Sequence, residues 1–536
     1  MRNEPVPMPG KKITYKKAAN GTVYVYYTLR AYRNKNGKPT SDEVAIGKLD
    51  SKTGNLIPNE RYYEIFQDTK NFHTIVEPDA GGLSNTPKSI KNCGGVTVMT
   101  EIAKRIGLWE VLENCFQNTW RQLLACAFYI LCEGNVMMYI MDWFDETKVE
   151  FAERMDDLDC SSLFASITRE ERARFFTEWS SRHCEQEYIA YDVSSISTYS
   201  GNIDIAEWGY NRDNDSLPQV NLGMFYGVTS STPIYYDIYS GSIPDKSYME
   251  FMMASAKNLG IQDVCFVMDC GFVTEDNLTD LRENQYSFIT ALPGQRLDAL
   301  KLIDENKSDI RKSANRINEF EVYGIQRPIE MHGLNLQAYI YYDAEKQALD
   351  EKELYAHIDR LQAELGKMNR SKRVTKKYRD YFVIDEEPKN TLAFALDSGK
   401  VDAKLERAGF FILLSNKPDL HCAEILKIYR DRDVIEKHFD QFKNRLDFKR
   451  MRVHWNKTME GKMFVGFLAL ILRSYLLRTL KGDTQTKRLT FEKVLIELRK
   501  IKTVTMSDET EMLIPLTKLQ KTIFSALDIP IESLFI

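Results

Sequence analysis

The sequence predicts an α/β protein built on a mixed sheet with helices packed against it. Between residues 187 and 292 the predicted order is strand, hairpin, helix, strand, helix, strand. Residues 12–66 are β-branched and aromatic, with turn signals at Asn20-Gly21, Asn36-Gly37 and Thr53-Gly54 that favour a β-meander. Residues 96–184 carry apolar residues at helical spacing. The chain therefore combines a sheet core with a β-rich N-terminal part and a helical part.

Length and charge limit the possible classes of protein. A chain of 536 residues, 43% hydrophobic and 28% charged, is long enough for three or four globular domains. A formal net charge of −5 argues against a protein that simply coats DNA. Residues 1–40 nevertheless hold nine Lys and Arg against one acid, Glu4. This basic patch indicates either a polyanionic partner or a hydrated hairpin surface.

The cysteines and the apolar runs predict a cytoplasmic protein without a membrane partner. Nine cysteines are scattered without a CxxC pair, so neither a disulfide framework nor a zinc site is expected. The N-terminal residues lack the apolar stretch of a signal peptide. The longest apolar run, Met463–Leu472, is broken by Arg473 and predicts a buried helix.

Shifts in composition divide the chain into six regions. They are a basic β-rich domain with possible DNA binding (1–78), a linker and helical domain (79–184), the first part of the sheet core (185–291), a largely β insertion (292–408), the second part of the core (409–480) and a C-terminal helical region (481–536). The helical domain could bind DNA ends or serve only as a packing layer. The sequence leaves that choice open.

The most informative stretch is Tyr429–Lys443. It contains Tyr429, Arg432, Glu436 and Lys443 at spacings of three, four and seven residues, which place all four on one face of an α-helix. Charged residues at helical spacing usually form a solvated face. A carboxylate flanked by cations and a phenol would also suit a metal ion beside phosphates. That second interpretation requires further carboxylates upstream, at the ends of strands.

Two aspartates meet this requirement. Asp192 lies within the apolar strand 187–198, where an unneutralised carboxylate is costly. Asp269 lies at the C-terminal end of the fourth predicted strand of the core, within 261–272. Each could instead be a structural cap. Because sites in such sheets lie at the carboxyl ends of strands, we expect Asp192 and Asp269 to lie side by side.

These motifs resemble those of a known family. Tyr429, Arg432, Glu436 and Lys443 match, at every gap, the Tyr-x2-Arg-x3-Glu-x6-Lys signature of bacterial insertion-sequence DDE transposases, members of the RNase H-like superfamily. YDVSSIS (191–197) and VMDCGF (267–272) resemble the segments of the family's two aspartates. Residues 208–224 are similar to a further segment of one subgroup. The resemblance covers about residues 96–530.

The resemblance implies an RNase H-like core interrupted by an insertion before the glutamate helix. It makes Asp192, Asp269 and Glu436 the catalytic acids and the ligands of two Mg²⁺ ions, for which Mn²⁺ would substitute. It makes Tyr429, Arg432 and Lys443 DNA-binding residues that hold phosphates of the transposon end. The implied activity is endonucleolytic cleavage at the ends, followed by strand transfer into target DNA in cut-and-paste transposition.

The implied partners are double-stranded DNA, as terminal inverted repeats and as target, and a second copy of the chain in a paired-end complex. Because DNA is the implied partner, the resemblance also implies a cytoplasmic protein associated with the nucleoid. Two alternatives remain: an RNase H-like metal nuclease without joining activity, and a domesticated DNA-binding protein without catalysis. A scaffold whose acids are only caps would require the signature to be accidental.

The insertion raises two further questions. The run 367–379 has seven Lys and Arg and no acid, so it is either a disordered charged loop or a strip along DNA phosphates. Some relatives form a DNA hairpin and stack a flipped base on a tryptophan of the insertion. All six tryptophans here lie outside 292–408. Tyr323, Tyr339, Tyr341 or Tyr342 could stack a base instead.

Overall fold

The computed structural model describes residues 5–10, 12–33, 38–66, 86–184, 188–211, 213, 215–261, 264–368, 375–385 and 393–535. The chain separates into two compact units, Met1–Thr86 and Pro87–Ile536, each with hydrophobic clusters of its own. The Asn36-Gly37 turn, residues 79–85 of the predicted linker and residues 369–374 of the basic run lie outside the described residues, as do Arg2, Glu4, Lys11 and Lys35.

The first unit is the predicted β-meander. Its elements are β1 (Ile13–Lys17), β2 (Val23–Arg33), β3 (Pro39–Leu49), β4 (Leu56–Pro58) and α1 (Glu60–Ile65). The strands form one antiparallel sheet in sequence order around Val25, Ile46 and Leu56. On this sheet Lys16 lies over the Tyr26 ring and pairs with Glu43 at 2.8 Å. Part of the basic charge of the first unit is therefore neutralised locally.

The helical part of the second unit begins with a strand that the sequence did not predict. Residues assigned to the linker form β5 (Pro87–Asn92). Six helices follow: α2 (Gly94–Arg105), α3 (Leu108–Cys115), α4 (Trp120–Glu133), α5 (Ile140–Glu146), α6 (Asp157–Ser166) and α7 (Arg169–His183). Thr168 and Glu171 cap α7 reciprocally, as its Ser/Thr start predicts. The apolar faces of these helices share one buried cluster with the end of the chain.

The mixed sheet is present and has nine strands. Its first part contains β6 (Tyr188–Ser197), β7 (Gln219–Gly227), β8 (Pro233–Ser240), α8 (Asp245–Asn258), β9 (Cys265–Met268), α9 (Glu275–Glu283), β10 (Ser287–Leu292) and α10 (Leu297–Asn306). β9 runs parallel to both β6 and β10. The pairs β6–β7 and β7–β8 are antiparallel. The predicted hairpin turns at Ser231, whose φ of 53° lies in the left-handed region.

The sequence predicts a largely β insertion, whereas the structure contains both helices and strands in this region. It contains β11 (Arg316–Ile317), β12 (Val322–Met331), β13 (Leu334–Tyr342), α11 (Ala344–Gly366), α12 (Lys376–Arg379), β14 (Phe382–Asp385), β15 (Ala393–Leu396) and α13 (Ser398–Leu405). Strands β11 to β13 extend the nine-stranded sheet, because β13 pairs with β16 (Phe410–Ser415). Helices α11 to α13 pack with the two-stranded β14–β15 sheet around a small separate core.

The last part of the chain closes the unit. Its elements are α14 (Cys422–Asp431), α15 (Asp433–Asp440), α16 (Asn456–Gly482), α17 (Phe491–Arg499), β17 (Lys502–Met506), β18 (Glu511–Leu513) and α18 (Lys518–Ala526). The C-terminal region is therefore not wholly helical, because β17 pairs with both β18 and the distant β5. Pairing across so long a stretch of chain leaves no local sequence signal.

Helices cover both faces of the nine-stranded sheet. Methionines and leucines of α8 and α9 fill one face, and α14, α15 and α16 cover the other. Helix α16 is long and apolar enough to cross a membrane, but 78% of its most apolar window is buried in the protein, which is typical of a core helix. By the same measure α4 and the bent segment after it, Met137–Glu146, could together make one span. All nine cysteines are free.

Candidate active site

Asp192 lies in the middle of β6, a strand whose residues after Tyr188 are all buried. The residue is 6% exposed, and its carboxylate accepts a hydrogen bond from the Val193 amide at 2.8 Å. Side chains alternate along the strand, and Tyr191 and Val193 pack into the cluster under α8 and α9. Asp192 therefore faces the opposite side, toward α14 and α15.

The parallel pairing of β6 with β9 brings the second aspartate beside the first. Tyr191 pairs with Met268, so Asp192 and Asp269 are the next residues on adjacent strands. Adjacent strands lie about 4.8 Å apart, and paired residues project from the same face. Asp269 then caps the short 3₁₀ turn Cys270–Phe272 by accepting from the Cys270 amide at 2.8 Å. The register of the two strands is therefore consistent with the predicted neighbouring positions of the two aspartates.

The helical stretch that carries Glu436 is not the single α-helix that the spacing predicts. α14 ends at Asp431, Arg432 forms the junction, and α15 ends at Asp440. The next residues, Gln441–Arg445, form a π-helical turn. Such turns add a residue to the helical repeat and are frequent at functional sites. Lys443 lies within this π-helical turn, beyond the α-helix that carries Glu436.

Arg432 is the centre of the site. Its Nη1 lies 3.6 Å from Asp269 Oδ1, and its Nη2 lies 3.5 Å from Glu436 Oε1. The Tyr429 hydroxyl donates to Asp269 Oδ1 at 3.5 Å, and the Tyr429 ring lies 4.9 Å from the guanidinium carbon. Arg432 is buried, whereas the side chains of Asp269 and Glu436 are 50% and 61% exposed. This part of the helical stretch therefore combines a buried cation with solvent-exposed carboxylates.

The charge on Arg432 ties the three predicted acids together. Burial lowers the pKa of the guanidinium, but Tyr429 and the carboxylates of Asp269, Asp192 and Glu436 raise it by more, so the net pKa is raised. All three carboxylates thus act on one cation. Burial also raises the pKa of the Tyr429 phenol, which keeps it protonated and able to donate.

Lys443 has a different partner. It is 6% exposed, and its Nζ donates to Asp213 Oδ2 at 2.9 Å, in the loop between β6 and β7. Asp213 was not predicted as a site residue. The segment 208–224 did give a sequence signal, because it resembles a family motif, but nothing in it indicated a partner for Lys443.

His438 lies on the other face of α15 and belongs to the core. Its ring stacks on Tyr226 at 4.6 Å, and Nδ1 lies 3.2 Å from the Ser474 hydroxyl. Burial, together with Lys481 and Arg473, lowers its pKa to about 3, so the imidazole is neutral at ordinary pH. One face of α15 is thus fixed by packing, and the other presents Glu436 to solvent.

A cavity of about 330 Å³ opens beside Asp269. Tyr210, Asn221, Lys246 and Phe272 line it together with Asp269. Asn221 is buried and pairs with Ser195 in the β6–β7 register. The sequence gave no role to Tyr210, Asn221 or Lys246, because they reach the site only through the fold.

Carboxylate oxygens are the ligands that Mg²⁺ prefers, so the chemistry of the three acids fits a hard cation. Within the described parts of the chain, however, no group of three His, Cys, Asp or Glu is set at the spacing of a metal centre. The Arg432 guanidinium supplies the positive charge between Asp269 and Glu436. Its contacts are longer than the 2.7–2.9 Å of a tight charge-assisted hydrogen bond, so they are open to exchange.

The tyrosines proposed for base stacking are mostly core residues. Tyr339, Tyr341 and Tyr342 are buried. The Tyr341 hydroxyl donates to the Cys422 carbonyl at 2.7 Å, and that of Tyr339 to the Lys417 carbonyl at 3.1 Å. The prediction is therefore wrong for these three. Tyr323 is partly exposed, with Arg316 over its ring at 5.7 Å.

The fold and the site define an α/β protein with one carboxylate in the middle of a central strand, a second just after the neighbouring strand and a third on a helix. The family model described as the transposase DDE domain matches residues 183–472, more than half of the chain. The protein belongs to this family of transposases.

No curated protein sequence matches the chain. Among solved structures, the cryo-EM structure of a piggyBac transposase synaptic complex with hairpin DNA matches at 11% sequence identity. The match covers 82% of this chain and 75% of that chain, with a TM-score of 0.32.

Proposed function

We propose that this transposase cleaves DNA at the ends of a bacterial insertion sequence and transfers the freed strands into target DNA. Membership of the DDE family supports the general activity. The observation that carries the proposal is that Arg432 contacts both Asp269 and Glu436, while Tyr191 and Met268, which precede Asp192 and Asp269, are paired on neighbouring strands. The predicted RNase H-like core would supply this geometry, with two aspartates on parallel neighbours and the glutamate on a helix over the same face.

Asp192, Asp269 and Glu436 would hold two Mg²⁺ ions, with Mn²⁺ as a substitute. Such ions lower the pKa of an attacking oxygen and stabilise the leaving one. For the acids to take up this role, Arg432 must turn away from Asp269 and Glu436. Both of those side chains are at least half exposed, so they can be rehydrated when the guanidinium leaves.

Arg432 would then bind a phosphate of the transposon end, since a guanidinium forms paired hydrogen bonds with phosphate oxygens. Tyr429 would hold the guanidinium by its ring and donate its hydroxyl toward the same group. Lys443 would contact DNA only by exchanging its contact with Asp213. These three residues would position the scissile bond over the acids.

The proposed reaction has two in-line displacements at phosphorus. In the first, a water oxygen attacks at the transposon end, the P–O3′ bond breaks, and the departing O3′ takes up a proton. In the second, that 3′-hydroxyl loses its proton, attacks a target phosphodiester and releases a target 3′-hydroxyl. The number of phosphodiester bonds is unchanged in the second step, so no external energy source is needed.

The substrate would be double-stranded DNA: inverted repeats at the two ends, and target DNA. Because two ends must be cut and joined together, we propose a homodimer in a paired-end complex. The enzyme would work at the nucleoid in the cytoplasm. All three acids are retained in the sequence, whereas a domesticated protein without catalysis should have lost at least one.

The test is cleavage and joining of a labelled duplex that carries the inverted repeats flanking the gene. Wild type, Glu436→Gln and Asp431→Asn would each be assayed with Mg²⁺, with Mn²⁺ and with a chelator. Asp431 is exposed and precedes Arg432, so its substitution removes the same charge from the same helical stretch without touching the acids. Metal-dependent release of 3′-ends and joined product are expected for wild type and Asp431→Asn, and neither for Glu436→Gln.

Cleavage without joining would replace the proposal by a metal nuclease. Binding of the duplex without cleavage by any of the three proteins would leave only a DNA-binding protein.

A further inference from the structure

The four most exposed aromatic side chains among the described residues occupy two short segments. Tyr210 is 84% exposed, Tyr199 78%, Trp208 66% and Trp455 64%. The first three belong to the loop between β6 and β7, and Trp455 immediately precedes α16. We call these four residues the aromatic rim. Large aromatic rings are normally buried for much of their area, so their concentration here calls for a function.

The two segments are joined by a set of hydrogen bonds. The Met451 amide donates to the Ser197 carbonyl at 3.3 Å, and the Ser200 hydroxyl donates to the His454 carbonyl at 3.0 Å. The Asp204 amide donates to Asn456 Oδ1 at 3.0 Å. Tyr199 and Trp455 are therefore carried by backbone held in one place.

Trp208 and Tyr210 are held by an unusually close backbone contact. They flank Gly209, where an added Cβ would lie 1.8 Å from the Gly241 carbonyl oxygen. Glu207 and Gln219 exchange two backbone hydrogen bonds of 3.0 Å, and Gln219 Nε2 donates to the Tyr210 carbonyl at 2.9 Å. The two rings thus project into solvent from a rigid support, which lowers the entropic cost of binding a flat ligand.

The aromatic rim adjoins the acidic site. Ser197, which bonds to the second segment, ends the strand that carries Asp192. Tyr210 lines the cavity that also contains Asp269. A strand of nucleic acid with a phosphate at the acids would therefore pass this rim.

Some acids of the loop beside the rim are neutralised by cations within the protein: Asp213 contacts Lys443 at 2.9 Å and Asp215 contacts Arg450 at 2.6 Å. The other two, Asp204 and Glu207, bond only to neutral side chains. Lys246 in the cavity and Lys457 beyond Trp455 are exposed. A surface that alternates flat rings with exposed cations suits a single nucleic-acid strand, whose bases stack while its phosphates pair.

We propose that the aromatic rim binds unpaired bases of a DNA strand leading out of the acidic site. The inference rests on the proposed function in taking DNA as the partner. Bases inside a duplex have both faces covered by neighbouring base pairs, so the rim should discriminate between single strands and duplexes. It also assigns base stacking to the core rather than to the insertion, where three of the four candidate tyrosines are buried.

The two tryptophans of the rim provide a direct signal. Trp120, Trp143 and Trp179 are buried, and Trp109 is partly buried against Trp120 at 4.6 Å. Trp208 and Trp455 therefore dominate the solvent-accessible fluorescence. The experiment is a titration of the whole protein with a thymine 12-mer and with a duplex of the same length, in chelator so that no cleavage occurs. Quenching is expected at lower concentrations of the single strand than of the duplex.

Variants assign the signal to the rim. Trp208→Ala and Tyr210→Ala should each weaken single-strand binding about tenfold, as loss of one stacking partner does. Tyr139→Ala is the matched control, because Tyr139 is 55% exposed but lies in the helical part, and it should bind like wild type. Circular dichroism and the thermal midpoint of each variant would exclude misfolding as the cause of weaker binding.

Equal affinity for single strand and duplex, or unchanged binding in both rim variants, would overturn the proposal. Quenching that follows protein concentration instead of DNA would also overturn it, in favour of a second copy of the chain on the rim. The cleavage assay reports separately on the proposed function. A protein that binds single strands at the rim but does not cleave would support the role of the rim and contradict the proposed function. A protein that cleaves but does not bind at the rim would support the proposed function and contradict the role of the rim.

Discussion

Two buried cations on one helical stretch, Arg432 and Lys443, are held in opposite ways. Arg432 contacts two half-exposed carboxylates at 3.5 and 3.6 Å, at a break between helices. Lys443 contacts Asp213, which is 24% exposed, at 2.9 Å within a π-helical turn. Long contacts to hydrated partners cost little to exchange, and a short contact to a shielded partner costs more. The difference separates a cation that can leave its partners at little cost from one held more firmly to the loop between β6 and β7.

The largest expected effect comes from Arg432→Ala. Loss of the guanidinium should lower the rate of end cleavage about a hundredfold or more, as removal of one preorganised charge donor does at other sites. The free energy of unfolding should fall by only about 1 kcal/mol, because Asp269 and Glu436 are rehydrated. Cleavage kinetics and urea unfolding measure the two effects.

Arg430→Ala is the matched control for that experiment. Arg430 is 40% exposed and lies 3.5 Å from Asp343, outside the acidic site. Cleavage by this variant should stay close to the wild-type rate. Equal activity of the two arginine variants would remove Arg432 from the site.

Lys443→Met should act mainly on stability. It leaves the Asp213 carboxylate partly buried without its cation, so the free energy of unfolding should fall by about 2 kcal/mol. Asp213→Asn in the same chain should restore at least half of the loss, because the uncompensated charge is removed. Urea unfolding of the two single variants and the double variant measures the coupling. A double variant no more stable than Lys443→Met would show that the lost contact between Lys443 and Asp213 does not cause the fall in stability.

His438 gives the third test, on the packed face of the same helix. Its folded-state pKa of about 3 lies below the unfolded value near 6.5, so the unfolded chain takes up the proton first as pH falls. The stability it contributes is complete above about pH 6.5 and declines below it. Between pH 7.5 and 5.0 wild type should lose about 2 kcal/mol more than His438→Gln. Parallel pH profiles of the two proteins would contradict the burial of a neutral imidazole.

The smallest effect is expected for Tyr429→Phe. The hydroxyl contact with Asp269 is long, at 3.5 Å, and the ring remains beside Arg432. A weak hydrogen bond of this kind should change the cleavage rate by only about threefold. Single-turnover cleavage with saturating enzyme measures it. A loss as large as that of Arg432→Ala would mean that the hydroxyl contacts the substrate directly.

The sequence could predict the parts of the site that depend on local pattern and strand order. Asp192 and Asp269 follow from buried strands that end near each other, and Arg432 and Glu436 follow from a four-residue spacing. The break at Arg432 and the π-turn at Gln441–Arg445 could not be predicted, because no Pro or Gly marks them. Lys443 therefore seemed to share a stripe with the acids, whereas the fold pairs it with Asp213.

Contacts between distant parts of the chain explain the other differences. β13 joins the central sheet through β16, and β5 joins β17, each across a long intervening segment. Apolar alternation identifies such strands but not their partners. The aromatic rim was also out of reach, because exposure of Trp208 and Trp455 depends on how two loops meet.

The pairing of β5 with β17 also sets an order of events during synthesis. Pro87–Asn92 leaves the ribosome about four hundred residues before Lys502–Met506, the strand that completes its hydrogen bonds. Gly94 also packs closely against this late part of the chain, since an added Cβ there would lie 2.5 Å from the Leu498 carbonyl oxygen. Closing a loop of this size is slow, and unpaired edges invite wrong pairings meanwhile. The helical part can therefore reach its final packing only after translation has passed residue 506, so a ribosome that stalls earlier leaves a chain with an open edge.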